Sequence, residues 1–215
     1  MLASTWTIGL AVGVLSSLLT LDFQMLNQQV QRYKQSAELD HLTGLYNRRV
    51  WDERTAMLET EGRFYNVLAL DIDHFKHVND TYGHANGDLV LQQFARILQE
   101  ETRPHDITAR IGGEEFMVLV YDLTPSKVTK VANRIRERIA NTRFQLDGFP
   151  AISITASVGI AHGKHIAIQR MNILADEALY TAKEQGRNRV ILYEDNAEAT
   201  ITTHDREAGP FVKSS

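Results

Sequence analysis

The chain has 215 residues, of which 43% are hydrophobic and 23% are charged, and this size and balance suit one globular domain with appendages. A net charge of −4 argues against a nucleic-acid-binding protein that relies on a general basic surface. The absence of cysteine excludes disulfide bonds and thiolate metal sites and fits a reducing compartment. The eight histidines lack the spacing of a zinc site, and we interpret most of them as structural.

Residues 1–21 carry no charge, and Asp22 is the first charged residue. About 20 mostly apolar residues suffice to span a membrane, although serine, threonine and glycine make this segment only moderately hydrophobic. Two interpretations stay open, a membrane helix and a soluble segment that packs on other helices. Basic residues follow the segment, so a membrane helix would be an inner-membrane anchor with the remainder in the cytoplasm. The abrupt start is compatible with the end of a larger sensor protein.

Apolar residues between Leu19 and Ala37 are spaced alternately four and three positions apart, which is the pattern of a coiled-coil seam. They are Leu19, Phe23, Leu26, Val30, Tyr33 and Ala37. The pattern predicts a long N-terminal helix that forms a parallel two-stranded stalk and so a homodimer. The alternative is an amphipathic helix that packs on its own domain.

The remainder divides into a folded domain over 40–193 and a polar, disordered C-terminal tail over 194–215. A helix is predicted to start within Asp40–Arg49, after the turn at Thr43 and Gly44. Beyond it we predict strands over 66–73, 107–111, 116–120, 152–161 and 189–193, and helices over 75–82, 87–102, 125–142 and 171–185. This order predicts an α+β fold, a central mostly antiparallel sheet with flanking helices mainly on one face.

The sequence Gly112-Gly113-Glu114-Glu115-Phe116 lies between two of these strands and predicts a tight hairpin tip. Glycines at 112 and 113 permit positive φ and the close approach of a bulky group. Adjacent carboxylates repel each other, and a bound hard cation is one way to offset the repulsion. Taken alone, so short a segment is more often an ordinary solvated turn with two surface acids.

A second acidic group ends the apolar run that starts at Asn66, where Asp71 and Asp73 share one face of the predicted strand. Acids at a strand end beside an acidic hairpin are how a fold gathers oxygen ligands for Mg²⁺.

At this point the chain resembles the GGDEF family of diguanylate cyclases, with Glu114 giving the GGEEF variant of the signature. The resemblance runs from Asp40 to about Tyr193 and includes five motifs in the family's order. They are 40–49 (DHLTGLYNRR), 71–80 (DIDHFKHVND), 83–88 (GHANGD), 157–161 (SVGIA) and 182–189 (AKEQGRNR), besides the hairpin. The resemblance implies the palm-like fold of nucleotide cyclases.

It also implies a metal site in which the Asp71 and Glu114 carboxylates and the Ile72 carbonyl hold Mg²⁺, with Mn²⁺ as a possible substitute. Glu114 is the best candidate to accept the proton of an attacking ribose 3′-hydroxyl. Glu115 has two open roles, in the metal site or in holding the hairpin. Asp73 is either a further ligand or, in our preferred reading, the cap of the following helix.

The substrate implied is GTP. A carboxylate at Asp88 accepts the N1–H and 2-amino group of guanine, and the amide of Asn79 completes the recognition. His84 matches a position near the nucleotide, with a structural hydrogen-bonding role as the alternative.

Lys76 is expected near the phosphates. Lys183 and Arg187 are predicted to share one helical face and to reach the triphosphate from the far side, with Lys183 preferred.

Arg103 and Asp106 lie just before the hairpin at the spacing of the family's product-binding Arg-x-x-Asp site. Arginine can bond O6 and N7 of guanine, and Asp106 can accept from the same base. Arg134 is a weaker second contact, because Arg136 and Arg138 compete for that role. The alternative is a charged loop without a ligand.

The resemblance therefore implies an enzyme that condenses two GTP into cyclic di-GMP, works as a dimer and is inhibited by its product, with no nucleic-acid partner. A binding module that has lost catalysis and serves as a cyclic di-GMP or GTP receptor is the main alternative. A purely structural dimerisation domain would leave the ligand-like residues unexplained.

Overall fold

The computed structural model describes residues 17, 20, 21, 23–25, 38–58, 64–164 and 166–193. Most of the predicted membrane segment, most of the predicted stalk and the whole predicted tail lie outside the described residues. The described positions between 17 and 25 are helical. Among the residues that the structure describes, no helix is both long and apolar enough to cross a membrane.

The described domain contains six strands and five helices between Tyr46 and Leu192. The strands are β1 (Tyr46–Asn47), β2 (Phe64–Ile72), β3 (Ile107–Gly112), β4 (Glu115–Tyr121), β5 (Ala156–Lys164) and β6 (Val190–Leu192). The helices are α1 (Arg48–Ala56), α2 (Phe75–Tyr82), α3 (His84–Glu101), α4 (Pro125–Asn141) and α5 (Ile168–Glu184).

The six strands form one mixed sheet in the order β1-β3-β4-β2-β5-β6. The three central pairings, β3 with β4, β4 with β2 and β2 with β5, are antiparallel. The two edge pairings, β1 with β3 and β5 with β6, are parallel. The predicted α+β fold with a mostly antiparallel central sheet is therefore confirmed.

Helices cover both faces of this sheet, so the expectation of helices mainly on one face is wrong. Leu68, Leu70 and Ile72 of β2 pack with α2, α3 and α4, whereas Val67 and Ala69 pack with α1 and α5. A central strand that is apolar at both alternating positions is buried on both sides, and β2 is buried from Tyr65 to Ile72.

The first helix starts within its predicted range of 40–49, whereas other predicted boundaries differ from the structure. Residues 40–45 form a turn that leads into β1, and the first helix starts only at Arg48, where the Asn47 side chain accepts the Val50 N–H at 3.1 Å. Ile152 forms an isolated bridge with Phe144, and the regular strand starts at Ala156. Helix α3, predicted over 87–102, starts at His84, because Gly83 alone, at φ 81°, separates it from α2.

Candidate active site

The end of β2 places Asp71 beside the hairpin. In the sheet Asp71 lies opposite Glu115 of β4 and Ser157 of β5, so three chain segments meet at this residue. The Asp71 side chain is 8% exposed, and its Oδ2 lies 2.8 Å from Nζ of Lys183 on α5. The structure thus brings together the predicted strand-end acid, the hairpin acids and the predicted phosphate-binding lysine.

The charge state of Asp71 reflects this environment. Burial raises the pKa of its carboxyl, the Lys183 ammonium opposes that shift, and the charges of Glu114 and Glu115 add to it. The net result is a pKa above the ordinary value for aspartate. A group of carboxylates that repel one another around a single lysine would gain from additional positive charge.

The hairpin tip is open, as its glycines predicted. Gly113 adopts φ 42°, whereas Gly112 closes β3 without positive φ, so only one of the two uses the left-handed region. A Cβ atom added at either glycine would meet no heavy atom within 4 Å. The tip is tied back to the domain by Arg110, whose Nε donates to the Gly113 carbonyl at 2.9 Å.

Arg110 also reaches the beginning of the domain, where its guanidinium donates to Oδ1 of Asp40 at 3.1 Å. Burial alone would raise the pKa of Asp40, but hydrogen bonds from Thr43 and Arg110 hold it below its usual value. Sequence reasoning missed this pair, because nothing local relates a turn residue to a strand so far along the chain.

The acids fit a divalent cation by their chemistry, because magnesium and manganese prefer carboxylate and carbonyl oxygens. The predicted ligands Asp71 and Ile72 end β2, and Glu114 forms the adjacent tip. In the described arrangement, no three His, Asp or Glu side chains stand close enough to hold a metal ion. Lys183 occupies one oxygen of Asp71, so an ion bound there would compete with the lysine.

A cavity of about 400 Å³ opens beside this cluster, between the sheet and helices α1 and α5. Charged side chains from three elements line it, among them Arg48, Glu115, Asp176 and Lys183. Partial burial and the Glu115 charge raise the pKa of Asp176, while Arg48 and Lys183 oppose that shift. Asp176 was not identified from the sequence, where it reads as a polar position on an amphipathic helix.

The predicted guanine-binding residues lie on the opposite face of the sheet, where α2 meets α3. Gly87 allows the two helices to touch, since a Cβ added there would fall 1.9 Å from Oδ1 of Asn79. Asn79 is half-buried, and Asp88 next to Gly87 is exposed, so an amide and a carboxylate are presented together. His84 and Lys76 are exposed on the same two helices.

Arg187 does not share a helical face with Lys183, so that expectation is wrong. Helix α5 ends at Glu184, and Arg187 lies beyond it in a turn, at φ 62°. The next residue, Asn188, is also in the left-handed region at φ 45°. Such backbone costs on the order of 1 kcal/mol per non-glycine residue, so a periodicity argument could not anticipate it.

Asp73 does not cap the following helix, which corrects our preferred reading. His74 occupies the N-cap position and makes no side-chain capping bond. The Asp73 carboxylate instead accepts from the hydroxyls of Thr155 and Ser157, both at 2.7 Å, and from the Asn188 N–H at 3.0 Å. These partners lie far along the chain and cannot be predicted from local spacing.

The Arg103–Asp106 loop, the predicted product site, lies at the other end of β3. Oδ2 of Asp106 accepts the Arg103 N–H at 2.8 Å, and Oδ1 is the one buried side-chain atom of the described residues that has no hydrogen-bond partner. A cavity of about 310 Å³ adjoins them and is also lined by Leu39 and Tyr46. Arg134 does not reach Asp106, because its guanidinium donates to the side chain and carbonyl of Glu101, at 2.5 and 2.7 Å.

The fold, together with the acids at the end of β2 and at the hairpin tip, is typical of one class of protein. A palm-like α+β sheet whose central strand ends in an acid, opposite a glycine hairpin that carries two more acids, is the arrangement expected of a nucleotide cyclase. A family model described as the GGDEF domain of diguanylate cyclases matches residues 37–189. The chain belongs to this family, as the sequence motifs predicted.

Individual relatives agree with this assignment. YhcK, an uncharacterized protein of Bacillus subtilis, is 39% identical over 196 residues, which are 88% of this chain and 55% of YhcK. The diguanylate cyclase DosC of Escherichia coli is 34% identical over 186 residues, 84% of this chain and 40% of DosC. The chain therefore spans about half the length of the curated relatives it matches.

The solved structures include the coiled coil and GGDEF domain of DgcB from Caulobacter crescentus, in complex with c-di-GMP. It matches with a TM-score of 0.77 at 30% identity, over 80% of this chain and 94% of that one. The palm-like fold implied by the motifs is thus confirmed.

Proposed function

We propose that the protein is a diguanylate cyclase that condenses two GTP into cyclic di-GMP and two pyrophosphates. The observation that carries the proposal is the meeting of Asp71, the hairpin acids and Lys183 at an open glycine tip. The family assignment supports the reaction, and the site retains each residue type that the reaction needs.

Each domain binds one GTP. The 3′-oxygen of one nucleotide attacks the α-phosphorus of the other, and the bond from that phosphorus to the leaving pyrophosphate breaks. The reciprocal step closes the ring and releases the second pyrophosphate. Glu114 is assigned to accept the proton of the attacking hydroxyl, because this acid directly follows the open glycine pair, where a nucleotide can approach closely.

Mg²⁺ or Mn²⁺, held by Asp71, Glu114 and the Ile72 carbonyl, would neutralise charge on the triphosphate. With the charge of Asp71 balanced by such a cation, Lys183, which is 2.8 Å from that carboxylate, would be available to bind the phosphates. Arg187 and Lys76 are the further cationic side chains assigned to the phosphates. Glu115 lies opposite Asp71 in the sheet, which supports a role in the metal site over a role in holding the hairpin.

Guanine is read between α2 and α3. Asp88 accepts the N1–H and 2-amino group, and Asn79 completes the edge, with His84 nearby. Adenine offers no matching donors, so ATP would leave these polar groups unpaired.

Cyclic di-GMP binds at the Arg103–Asp106 loop and inhibits the enzyme. The unpartnered Oδ1 of Asp106 supports this assignment, because a buried acceptor without a donor costs about 1–3 kcal/mol and guanine supplies donors. Arg134 joins the site by releasing Glu101, which lies just before the loop.

Two domains must meet, since each 3′-hydroxyl has to reach the α-phosphorus of the other nucleotide. The seam between Leu19 and Ala37 would raise their effective concentration as a two-stranded stalk. Residues 1–21 would attach the assembly to the inner membrane, with the catalytic domain in the cytoplasm.

Replacing both Leu26 and Val30 by Glu should disrupt the stalk. The specific activity of this variant should be low at low protein concentration and should recover when the protein concentration is raised. If the specific activity of the variant does not depend on protein concentration, the segment from Leu19 to Ala37 does not promote dimerisation and only links the domain to what precedes it.

The central test is incubation of the protein with GTP and Mg²⁺, followed by chromatography of the nucleotides, with Glu114→Gln as the matched control. A cyclic dinucleotide formed by the wild type and not by the variant is expected. Tight GTP or cyclic di-GMP binding without turnover would favour the receptor and overturn the enzyme.

A further inference from the structure

Asp73 is a buried carboxylate that the proposed reaction does not use. It follows the end of β2, two positions after Asp71, and is 5% exposed. Its Oδ1 accepts from the Ser157 hydroxyl, and its Oδ2 accepts from the Thr155 hydroxyl and from the Asn188 N–H. One side chain thereby joins the end of β2, the approach to β5 and the turn after α5.

That turn combines local and tertiary hydrogen bonds, since Gly186 and Arg187 donate their N–H groups to the carbonyls of Lys183 and Ala182, at 3.3 and 3.0 Å, and Asn188 is bonded by other parts of the fold. From Gly186 to Asn188 the chain takes positive φ at three successive residues, and two of them are not glycine. Isolated from the fold, such a segment would relax to other conformations. Asp73 holds its backbone, and Arg136 of α4 donates to the Asn188 side chain at 2.9 Å.

The same turn carries Arg187, which the proposed function assigns to the phosphates. Arg187, between Gly186 and Asn188, is exposed, and Lys183 precedes it in the last turn of α5. Asp71 bonds Lys183, and Asp73 bonds the turn that carries Arg187. Neighbouring acids at one strand end therefore set the positions of two successive cations.

We propose that Asp73 is a positioning residue that fixes the Gly186–Asn188 turn and so presents Arg187 to the terminal phosphates of GTP. This inference rests on the proposed cyclase function. It assigns Asp73 neither to the metal nor to the helix cap.

The first test measures binding of GTP and of GMP to Asp73→Ala, Arg187→Ala and the double variant. Asp73→Ala should weaken GTP about tenfold and GMP less than about twofold, because GMP lacks the phosphates that Arg187 contacts. The double variant should be no weaker for GTP than Arg187→Ala alone. Additive losses, or equal losses for GTP and GMP, would overturn the proposal.

Ser157→Ala is the matched control, because it removes a hydrogen bond from the other oxygen of the same carboxylate and leaves the turn bonded. Its GTP affinity should stay within about twofold of the wild type. Hydrogen exchange of the nucleotide-free protein supplies the second readout. Exchange over residues 184–192 should accelerate in Asp73→Ala and not in Ser157→Ala, whereas uniform acceleration over the domain would indicate only a stabilising role.

Asp73→Asn keeps one acceptor oxygen and is measured in parallel, so that a failure of the alanine variant to fold does not end the test. It should rescue much of the GTP affinity and lie between the wild type and Arg187→Ala. Affinity no better than Arg187→Ala, or GTP and GMP losses of equal size, would contradict positioning by hydrogen bonding. If the wild-type protein makes no cyclic dinucleotide, the proposed cyclase function is wrong. The hydrogen-exchange result would still show whether Asp73 holds the turn.

Discussion

Asp71 and Asp106 are both almost completely buried, with side chains 8% and 3% exposed, yet their carboxylates are bonded very differently. Asp71 faces the ammonium of Lys183 at 2.8 Å. Asp106 accepts one backbone N–H through Oδ2, and the ring of the exposed His105 lies 3.8 Å from Oδ1, too far for a hydrogen bond.

Under the proposed function, the difference corresponds to two ways in which a fold can prepare a buried acid for a ligand. Asp71 already has a cationic partner, so binding at this site exchanges one partner for another. Asp106 keeps an acceptor unsatisfied, so binding there only adds a donor. The strand β3 connects the two sites, because it starts right after Asp106 and ends at Gly112 of the hairpin tip. Under the proposed function, product bound at the Arg103–Asp106 loop would have a short physical route along β3 to the catalytic end.

The largest effect should come from Asp71→Asn, which removes the charge at the exchanging site. Turnover should fall by about a thousandfold or more, as for other catalytic groups, and Glu114→Gln should do the same. Because burial raises the pKa of Asp71, a neutral isostere should change the free energy of unfolding little.

Steady-state rates and urea unfolding check this prediction, with Asp106→Asn as the control at the other buried acid. An Asp71→Asn enzyme with near-normal rates in Mg²⁺ would remove our assignment of the metal site.

Asp88 is an exposed acid and so contrasts with the buried acids Asp71 and Asp106. Asp88→Ala should raise the KM for GTP and narrow the preference over ATP by about a hundredfold, as expected when a recognition carboxylate is lost. The fold should survive, since Asp88 is on the surface. Parallel kinetics with GTP and ATP give the ratio, and an unchanged ratio would mean that guanine is read elsewhere.

At the product site, Arg103→Ala should raise the concentration of cyclic di-GMP needed for half-inhibition by about tenfold and leave the initial rate unchanged. Arg134→Ala should act in the same direction more weakly, because that side chain first has to leave Glu101.

Arg138→Ala on the same helix is the control, since its exposed pair with Glu100 at 3.8 Å is outside the cavity. If the inhibition curves of Arg103→Ala and the wild type coincide, cyclic di-GMP does not inhibit the enzyme through this loop.

The smallest effect concerns Asp40, a partly buried acid that is paired with Arg110. Asp40→Asn should lower the free energy of unfolding by about 1 kcal/mol at pH 7, the usual scale for such a bond. Because the pKa of Asp40 is lowered in the folded state, this contribution is present above the unfolded pKa and is lost as the pH falls through the folded pKa. The urea unfolding curves of the two proteins should therefore begin to converge as the pH falls below about 4, and should coincide once it is below the lowered pKa of Asp40. A difference that does not change with pH would show that packing, and not the charge, is what the variant removes.

The sequence by itself determined much of the local structure. The apolar run ending at Asp71, the two strands around Gly112 and Gly113, and the helix Phe75–Tyr82 were predicted close to their observed bounds. Strand alternation, glycine tips and a helix stopped by Gly83 are properties of neighbouring residues. The family motifs also predicted the fold and the residue types of the site.

Only the tertiary structure decided how the acids are partnered. Asp71 meets Lys183, and Asp73 bonds Asn188, 115 positions along the chain, rather than the helix beside it. Arg187 left the predicted helical face because α5 ends at Glu184 and a left-handed turn follows, which is bonded to the Ala182 carbonyl, to Asp73 and to Arg136 of α4. Spacing along a chain predicts which residues share an element, but a buried carboxylate takes whichever donors the packed sheet and helices bring to it, since burial makes an unsatisfied charge costly.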